Sequence, residues 1–596
     1  MADSPSVGSS GAIKLTLFSD GQQLDETIQI VSVSVKNILN KIPFAKIVVL
    51  DGDMPGQDFP LSNEDTFKPG AAIKINAGYD ADENTIFEGV VIKHGIKVLG
   101  DNESRLVVEC RDKAVAMTVG RKNANYIDSK DSDIITALIS NYAGLTTDVE
   151  ATTIEYKELV QYYCTDWDFM LSRAEVNGLL VSVAAGKVTV KPPQMSIAAE
   201  LKVAYGADLI EFQADLDSRH QLAEVKGVSW DVKTQAVIEE PVGPATLNEQ
   251  GDLDSATLAG VIDLKSFRLQ TVAPMDKAAL KQWASGQQLK AGLSRICGRM
   301  KFQGSAKALP GSLIELEGVG KRFNGAVFTT AVKHEIANGN WITEAEFGMS
   351  PEWLTDQPDV VAPAAAGILP GVEGLQIGVV KKLDEDPDGQ YKVQVTVPVM
   401  QATTEGVWAR LLSFYGSLGI GAFFVPEIGD EVVLGYFNND PSSPVILGSL
   451  YSSSRKPPYE LTADNFIKAL VTKSNLKLEF DDENKVITLT TPENNRVIIS
   501  DKDKSILLQD QNDNKVELGP DGIVLDSPKD IKISAKGKVT IDAVGAIRMT
   551  SKADVAVEGM NVNHTAKIGF VAKGSASAEL SASGQTTVKG AMVMIN

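Results

Sequence analysis

The most regular pattern in the chain is a series of short apolar segments, separated by polar turns, in its last third. Within each segment apolar and polar positions alternate, and turns rich in Asp, Asn, Pro and Gly recur at intervals of about 8–11 residues. The segments are Leu476–Phe480, Val486–Thr490, Val497–Ser500, Ile506–Gln509, Val516–Leu518 and Ile523–Leu525. An internal period of this kind predicts a repetitive β structure.

Such a ribbon has one apolar face, and the sequence offers no second element to bury it. We call residues 461–596 the ladder segment. Because unpaired strand edges and an uncovered apolar face are both unfavourable in water, we expect the ladder segment to close on copies of itself. The pattern predicts a shaft formed by several chains, which favours a mechanical function over a catalytic one.

Upstream, the chain reads as β-rich with a few helices. Six alternating segments predict strands at Lys14–Phe18, Ile28–Val35, Ala45–Leu50, Ala72–Ala77, Thr85–Val91 and Arg105–Cys110. Three stretches with apolar residues at a 3.6-residue period predict helices that begin at Asp131 or Ser132, at Thr165 and at Asp276. Thr165 and Asp168 have the spacing of a capping box.

Residues 358–374 are rich in Pro, Ala and Gly, which is typical of a linker. The next stretch holds five short apolar segments within about 75 residues, the size of a five-stranded OB-type barrel. The segments are Gly378–Lys382, Lys392–Val397, Val407–Leu411, Glu431–Phe437 and Val445–Leu450. A short polar hinge, residues 452–460, precedes the ladder segment.

Composition narrows the functional classes. The net charge of −21 disfavours general binding to nucleic acid or to anionic membranes. The three cysteines, Cys110, Cys164 and Cys297, are few and far apart, so neither a disulfide framework nor a zinc site is indicated. The N-terminus lacks the features of a secretory signal, and no apolar stretch is long enough for a membrane helix. We expect synthesis in the cytoplasm and release by a route other than general secretion.

The most specific motif lies in the barrel region. Residues 421–433 read GAFFVPEIGDEVV, and residues 436–451 read YFNNDPSSPVILGSLY. These segments closely resemble the OB domain of VgrG proteins and phage baseplate spikes. In that domain the motif P-x-x-G-D-E-V begins a strand, and the motif F-x-x-D-P-x-x-P-V-x-x-G-x-x-Y follows it.

Further stretches resemble the same family in the same order. Gln161, Tyr162, Asp166 and Phe169, followed by Arg173, Glu175 and Gly178, resemble a helix of VgrG proteins. Residues 309–334 resemble the last strands of the family's hub, and residues 587–596 its blunt needle end. The resemblance covers essentially the whole chain.

This resemblance implies a fold that is mainly β with some helices: barrel-containing hub domains, an OB-fold collar, and a C-terminal triple-stranded β-helix needle formed in a homotrimer. The implied divisions are an N-terminal tail (1–11), a hub (12–357) with two similar barrels per chain, the linker (358–374), the OB-fold (375–451), the hinge (452–460) and the needle (461–596). The implied function is a structural spike at the tip of the inner tube of a contractile injection system. Its implied partners are an inner-tube ring protein, baseplate proteins, effectors and, transiently, a target membrane.

The end of the needle is expected to bind a separate tip protein of the PAAR type. The last strand of a β-helix leaves backbone groups unpaired, and three copies of an apolar end form a patch that favours a cap. The residues expected to make this contact are Ala591, Met592, Val593, Met594, Ile595 and Asn596.

Other candidate chemistry has simpler explanations. Residues 384–389 imitate the start of a calcium loop, but the position for its bidentate carboxylate is Val395, so we interpret them as a hairpin turn. His564 could meet its copies on a three-fold axis and bind a metal, but it lacks an H-x-H pair, and we interpret it as a shaft residue. Trp167 and Trp283 lie at helical spacing among apolar neighbours, as core residues do. No metal or cofactor is expected.

Catalytic motifs are not found: the sequence has no G-x-S-x-G, no H-E-x-x-H and no P-loop. The resemblance implies two usual places for an added enzyme, between barrel and needle and after the needle, and we expect neither to hold one. We therefore expect no enzymatic activity, and keep as alternatives a spike with a cell-wall hydrolase within the hub and a phage baseplate hub-needle.

The machine is a type VI secretion system, an extracellular phage-tail-like particle or a phage tail, and the compact hub and bare needle favour the extracellular kind.

Overall fold

Antiparallel strands dominate the chain. The computed structural model describes residues 2–5, 11–80, 82–100, 103–402 and 406–595. It consists of two units, Met1–Leu450 and Tyr451–Asn596. None of the helices in the described residues is long and apolar enough to span a membrane.

The first sheet region lies within residues 13–111, and each of the six predicted strands is present there. Its elements are β1 (Ile13–Ser19), β2 (Gln22–Gln23), β3 (Ile30–Ile38), β4 (Phe44–Leu50), α1 (Pro60–Asn63), β5 (Ala72–Tyr79), β6 (Asp82–Val98) and β7 (Ser104–Arg111). Alternate residues of these strands, among them Val33, Ile47, Ile75 and Leu106, are fully buried in one core.

A helical insertion follows the first sheet region and has a core of its own. Its elements are β8 (Lys122–Lys130), α2 (Asp131–Ser140), β9 (Thr146–Val149), β10 (Glu155–Cys164), α3 (Asp166–Val176), β11 (Leu180–Ala184) and β12 (Lys187–Lys191). Helix α3 begins as predicted, because the Thr165 hydroxyl accepts a hydrogen bond from the backbone N–H of Asp168 at 3.0 Å.

The predicted cap of α2 is wrong. The residue before the helix is Lys130, and the Thr152 hydroxyl accepts the hydrogen bond from the backbone N–H of Ser132 at 3.0 Å. Thr152, 20 positions away in sequence, therefore accepts the hydrogen bond that a local capping residue would otherwise accept.

A second sheet region completes residues 201–347. Its elements are β13 (Leu201–Ala204), β14 (Leu209–Leu216), β15 (Val225–Asp231), β16 (Ala236–Val242), α4 (Ser255–Ile262), β17 (Phe267–Gln270), α5 (Lys277–Leu293), β18 (Ile296–Gln303), β19 (Leu313–Glu317), β20 (Gly325–Ala337) and β21 (Asn340–Phe347). Helix α5 is the third predicted helix, and the Asp276 carboxylate accepts a hydrogen bond from the Ala279 N–H at 2.8 Å at its start. Strands β15–β17 form a small separate sheet.

The two sheet regions share one strand order. The first runs β3-β4-β7-β6-β5-β1, and the second runs β14-β18-β21-β20-β19-β13. If the six strands of each region are numbered along the chain, both read 2-3-6-5-4-1. The regions differ at the last pair, because β1 is antiparallel to β5 while β13 is parallel to β19. Pairing of β3 with β20 joins the two regions edge to edge.

A buried histidine lies beside this junction. His334 on β20 is 2% exposed, and its Nδ1 lies 3.0 Å from the Thr343 hydroxyl while its ring packs on Trp341. Because burial disfavours the imidazolium form, the pKa of His334 is lowered to about 4.

We expect acid to destabilise the protein through His334. Between pH 6.5, the ordinary histidine value, and about 4, the unfolded chain binds a proton that the folded chain does not, so stability is lost as pH falls through that window. The loss approaches about 3 kcal/mol. Urea unfolding of the wild type and of His334→Gln at several pH values measures it, since the variant should have a flatter profile over pH 4–6.5. Parallel profiles would contradict the assignment.

Residues 376–449 form a closed five-stranded barrel. Its elements are β22 (Gln376–Lys382), β23 (Val393–Thr396), β24 (Val407–Leu411), a small hairpin of β25 (Gly416–Ser417) and β26 (Ile420–Gly421), β27 (Glu431–Tyr436) and β28 (Pro444–Ser449). The barrel order is β22-β23-β24-β28-β27, around a core that includes Val395, Leu434 and Ile446. The acidic stretch 384–389 is the turn between β22 and β23, where the Asp386 carboxylate accepts hydrogen bonds from the backbone N–H groups of Asp388, Gln390 and Lys392.

The second unit begins with a seven-stranded antiparallel meander. Its strands are β29 (Ile467–Val471), β30 (Lys477–Asp481), β31 (Val486–Thr490), β32 (Arg496–Ser500), β33 (Ser505–Gln509), β34 (Lys515–Gly519) and β35 (Gly522–Asp526). Six of the strands were predicted, and β29 was missed. Within residues 527–595 the structure assigns no helix or strand.

Turns on one side of the meander repeat every 19 residues. The turns that begin at Thr472, Thr491 and Asp510 are each closed by the backbone N–H of that residue, which donates to the carbonyl four residues later at 2.9–3.0 Å. Each turn places a non-glycine residue in the left-handed region, at Asn475, Asn494 or Asp513. Asn and Asp tolerate this conformation, so the polar turns seen in the sequence fix tight hairpins.

Candidate assembly surface

The meander presents two continuous rows of apolar side chains on one face, which we call the apolar face. The strand register sets them opposite one another across the sheet. The first row is Leu470, Leu478, Leu489, Val497, Leu508, Val516 and Leu525; the second is Phe480, Ile487, Ile499, Ile506, Leu518 and Ile523.

The apolar face is uncovered in the single chain. Leu489 is 52% exposed and Ile499 44% exposed, although both lie near the middle of the sheet. A groove of about 670 Å³ runs along the first row and is lined by Leu489, Val497 and Leu508, among others. Contiguous apolar surface of this extent marks an interaction site.

The opposite face of the meander is largely polar. One of its rows aligns Lys477, Thr490, Arg496, Gln509 and Lys515 across successive strands. The Arg496 guanidinium donates to Gln509 Oε1 at 2.6 and 3.1 Å along this row. Polar and charged side chains are thus concentrated on this face, although Ile498 and Leu507 also lie on it as a pair.

The predicted tip residues lie in the segment without regular structure. Ala591, Met592, Val593, Met594 and Ile595 are all exposed, Ile595 at 91%. Asn596 lies outside the described residues. The single chain therefore displays the apolar side chains that the tip prediction requires, and the contact itself stays a prediction.

His564 lies beside an aromatic residue in the single chain. Its ring stacks on Phe570 with 6.0 Å between ring centroids. In the part of the chain that the structure describes, no cluster of three His, Cys, Asp or Glu side chains is placed to hold a metal.

The motif around α3 is a network that holds helices together. Gln161 Nε2 donates to Asp166 Oδ1 at 2.9 Å, and Asp166 Oδ2 accepts from Lys122 and Tyr142 at 2.6 and 2.7 Å. These contacts tie β10, β8 and the turn after α2 to the start of α3. The family motif thus has a structural explanation at these positions.

The second part of the motif fixes the other end of α3. Arg173 donates two hydrogen bonds to the buried Asp131 carboxylate, at 2.6 and 3.0 Å. Glu175 forms an ion pair with Lys290 on α5 and accepts the Leu354 backbone N–H at 3.0 Å. Gly178 has a φ of +66° and ends the helix in the left-handed region. The charged motif residues are thus engaged with partners inside the fold.

Sequence reasoning missed a second exposed apolar region on the barrel. The stretch 412–428 leaves the barrel as a long excursion and carries Phe414 (87% exposed), Leu418 (99%) and Phe423 (88%). The signal was present, since large apolar residues lie there among Gly and Ser, but only residues 421–428 of this stretch entered a prediction, as part of the strand entry. Like the apolar face, these side chains lack cover in the single chain.

Comparison with known families places two parts of the chain. The Alg8 N-terminal domain family matches residues 9–338, more than half of the chain. The type VI secretion system/phage-baseplate injector OB domain family matches residues 376–451, the closed barrel.

Curated relatives match shorter stretches. The chain is 32% identical over 99 residues to the type VI secretion system spike protein VgrG5 of Pseudomonas aeruginosa, a match that covers 15% of this chain and 12% of that protein. It is 24% identical over 191 residues to VgrG1b of the same organism, covering 30% of this chain and 26% of that protein. The matches thus span well under two thirds of either relative's length.

Among solved structures, a 43 kDa tail protein of prophage MuSo2 from Shewanella oneidensis is similar at a TM-score of 0.44 and 8% identity, covering 57% of this chain and 99% of that protein. The family assignment depends instead on the sequence matches to the N-terminal region and the barrel. The chain belongs to the Alg8 N-terminal domain family, and with its injector OB barrel and strand ladder it has the domain make-up of a VgrG-type spike protein.

Proposed function

We propose that the protein is a homotrimeric spike at the tip of the inner tube of a contractile injection system, where it punctures a target envelope without acting as an enzyme. The observation that carries this proposal is the uncovered apolar face of the meander, with its two continuous apolar rows. Burying a Leu, Ile, Val or Phe side chain contributes about 1.5–3 kcal/mol when it starts fully exposed. Ten of the thirteen side chains in the two rows are 38–71% exposed in the single chain, so burying them favours assembly strongly.

Copies of the same chain are the simplest cover for this face. Each copy brings the same pair of rows, and closed symmetry lets every apolar face be buried while no strand edge is left open. The exposed residues of 412–428 and the large apolar residues of 527–595 are covered by the same association. In the trimer, the segment 527–595 gains the strand partners that it lacks alone.

The remaining roles follow from position along such a spike. The hub region meets an inner-tube ring protein and baseplate proteins, the needle points away from the tube, and effectors travel with the particle. The protein is made in the cytoplasm, assembled into the particle and released by contraction.

Mass and shape test this function directly. Size-exclusion chromatography with light scattering should give about three chain masses, and electron microscopy should show a head with a thin protrusion. A stable folded monomer, or a head without a protrusion, would contradict the proposal. A turbidity assay on purified cell walls distinguishes the alternative of a hydrolase within the hub, because a plain spike leaves turbidity unchanged.

Deleting residues 590–596 should leave the trimer intact but abolish co-purification with a PAAR-type tip protein and reduce injection. The deletion removes the exposed apolar end, including Met592, Val593 and Met594, and leaves the meander untouched. Pull-down of the tip protein by the tagged trimer measures the effect.

A matched control replaces Thr586 and Thr587 with alanine, next to the deleted end. This variant should retain the tip protein. Unchanged binding after the deletion would show that the tip protein docks elsewhere, on the flanks of the shaft.

A further inference from the structure

The first residues of the chain lie on the second sheet region, although the strand that follows them, β1, belongs to the first. Asp3 forms a parallel bridge with Leu201 at the start of β13. The Asp3 carbonyl accepts a hydrogen bond from the Lys202 backbone N–H at 3.0 Å. We call residues 2–5 the N-terminal strap. The chain therefore extends the edge of one sheet region before it enters the other.

The strap lies along the outer edge of β13. Among the described strands, β13 pairs only with β19, so its outer edge would be open without the strap. Just past the end of β13, the Tyr205 N–H donates to the Glu317 carbonyl of β19 at 3.0 Å. Because successive N–H groups of a strand point to opposite edges, those of Lys202 and Ala204 point outward. These two groups are the donors that an open edge would offer to another chain.

Both outward N–H groups have an acceptor. The Asp3 carbonyl accepts from Lys202, and Asp208 Oδ2 accepts from Ala204 at 3.1 Å. The other carboxylate oxygen of Asp208, Oδ1, accepts a hydrogen bond from the Ser4 hydroxyl. The strap thus supplies one acceptor itself and positions the buried side chain that supplies the other. The edge is closed by the strap and Asp208 together.

The strap is held mainly by polar contacts. The Asp3 carboxylate pairs with Lys307 Nζ at 2.7 Å, and both side chains are 56% exposed. Pro5 is buried, but it borders a cavity of about 160 Å³ that also reaches Tyr79 and Trp341. The Trp341 indole N–H is buried at this cavity and has no hydrogen-bond partner among the described residues. The surface beneath the strap is therefore loosely packed, and the strap depends on its few polar contacts.

We propose that the N-terminal strap is a detachable cover for the outer edge of β13, which keeps extended segments of other chains off the second sheet region. Exposed ion pairs are weak, and a strap of four residues can open while the sheet beneath it stays folded. Opening exposes the Lys202 N–H and separates Ser4 from Asp208, which creates an edge for strand addition. Every contact of the strap lies within one chain, so this role is independent of the proposed trimer.

Hydrogen exchange of the full-length chain, read by mass spectrometry with fragmentation, tests the cover. Asp3→Lys replaces the ion pair with Lys307 by a repulsion, so exchange of the Lys202 N–H should become about five- to tenfold faster. The N–H groups of Leu201 and Val203 point to β19 and should keep their rates. Adding Lys307→Asp to the Asp3→Lys chain restores an ion pair of opposite polarity, and exchange at Lys202 should return toward the wild-type rate.

Glu26→Lys is the matched control for the change of charge. Glu26 is exposed and lies outside the strap, so this variant should leave exchange at Lys202 unchanged. Equal acceleration in Glu26→Lys and Asp3→Lys would overturn the proposal, because the effect would then come from the charge of the whole chain.

A chain without residues 2–5 removes every contact of the strap at once. It should show the fastest exchange at Lys202 and, by light scattering, larger species whose share rises with concentration, because the open edge accepts strands of other copies. Exchange as slow as in the wild type would show that the strap does not close the edge. Fast exchange without further association would show that the strap does not keep other chains away, which overturns the proposal as well.

Discussion

Replacing Leu489 with glutamate should leave the chain unable to form a stable trimer. Leu489 lies in the first row of the apolar face and borders its groove. In the proposed trimer this substitution buries three unpaired carboxylates, each of which costs several kcal/mol. Light scattering at micromolar concentration should then report single chains or soluble aggregates in place of trimers.

Thr490→Glu is the matched control for this experiment. Thr490 is the next residue on the same strand, points to the opposite face, and lies between Lys477 and Arg496 across the sheet. A carboxylate there gains two cationic neighbours, so the trimer should persist. If both variants assemble equally well, the apolar face is not the trimer interface.

The second large effect is expected from Asp131→Ala. The Asp131 side chain is fully buried and pairs with Arg173, whose side chain is 15% exposed. Asn177 Nδ2 also donates to it at 2.7 Å. Removing the carboxylate leaves a buried guanidinium without its partner, which costs about 3–5 kcal/mol.

Urea unfolding followed by tryptophan fluorescence measures this loss, because Trp167 lies in the same core. The control is Lys157→Ala, which breaks an ion pair with Asp128 between side chains that are 82% and 58% exposed. Exposed pairs contribute at most about 1 kcal/mol. Equal shifts in the two variants would show that the Asp131–Arg173 pair is no stronger than a surface contact.

Local patterns predicted much of the fold. The strands of the meander and barrel were predictable from alternating apolar residues and the turn residues next to them. The start of α3 was predictable from its cap. In each case the signal lies within about ten residues of the element. Helix α4 (Ser255–Ile262) was missed, although Asp254 caps it by accepting the Thr257 N–H at 2.8 Å. Its eight residues are apolar on most sides, so they show no clear helical stripe.

Strand pairing between distant parts of the chain could not be predicted from the sequence. The pairing of β3 with β20 joins residues about 300 positions apart, and no pattern in either strand specifies the other. The shared strand order of the two sheet regions could not be predicted from the residues either. The resemblance implied two similar barrels, but the order itself appears only in the strand pairing. At the candidate site, the sequence itself shows the apolar residues of the tip. The two rows of the apolar face could be defined only from the strand register of the structure.

The 19-residue spacing of the meander turns determines the steps by which the length of the meander can change. Removing residues 491–509 excises one complete hairpin and joins Thr490 to Asp510, so an equivalent turn replaces the one that was lost. Every later strand then keeps its direction and its place in the apolar face, and the meander becomes shorter by two strand spacings, about 10 Å. A deletion of a single strand would instead reverse every later strand, so lengths of this shaft are accessible only in whole hairpins.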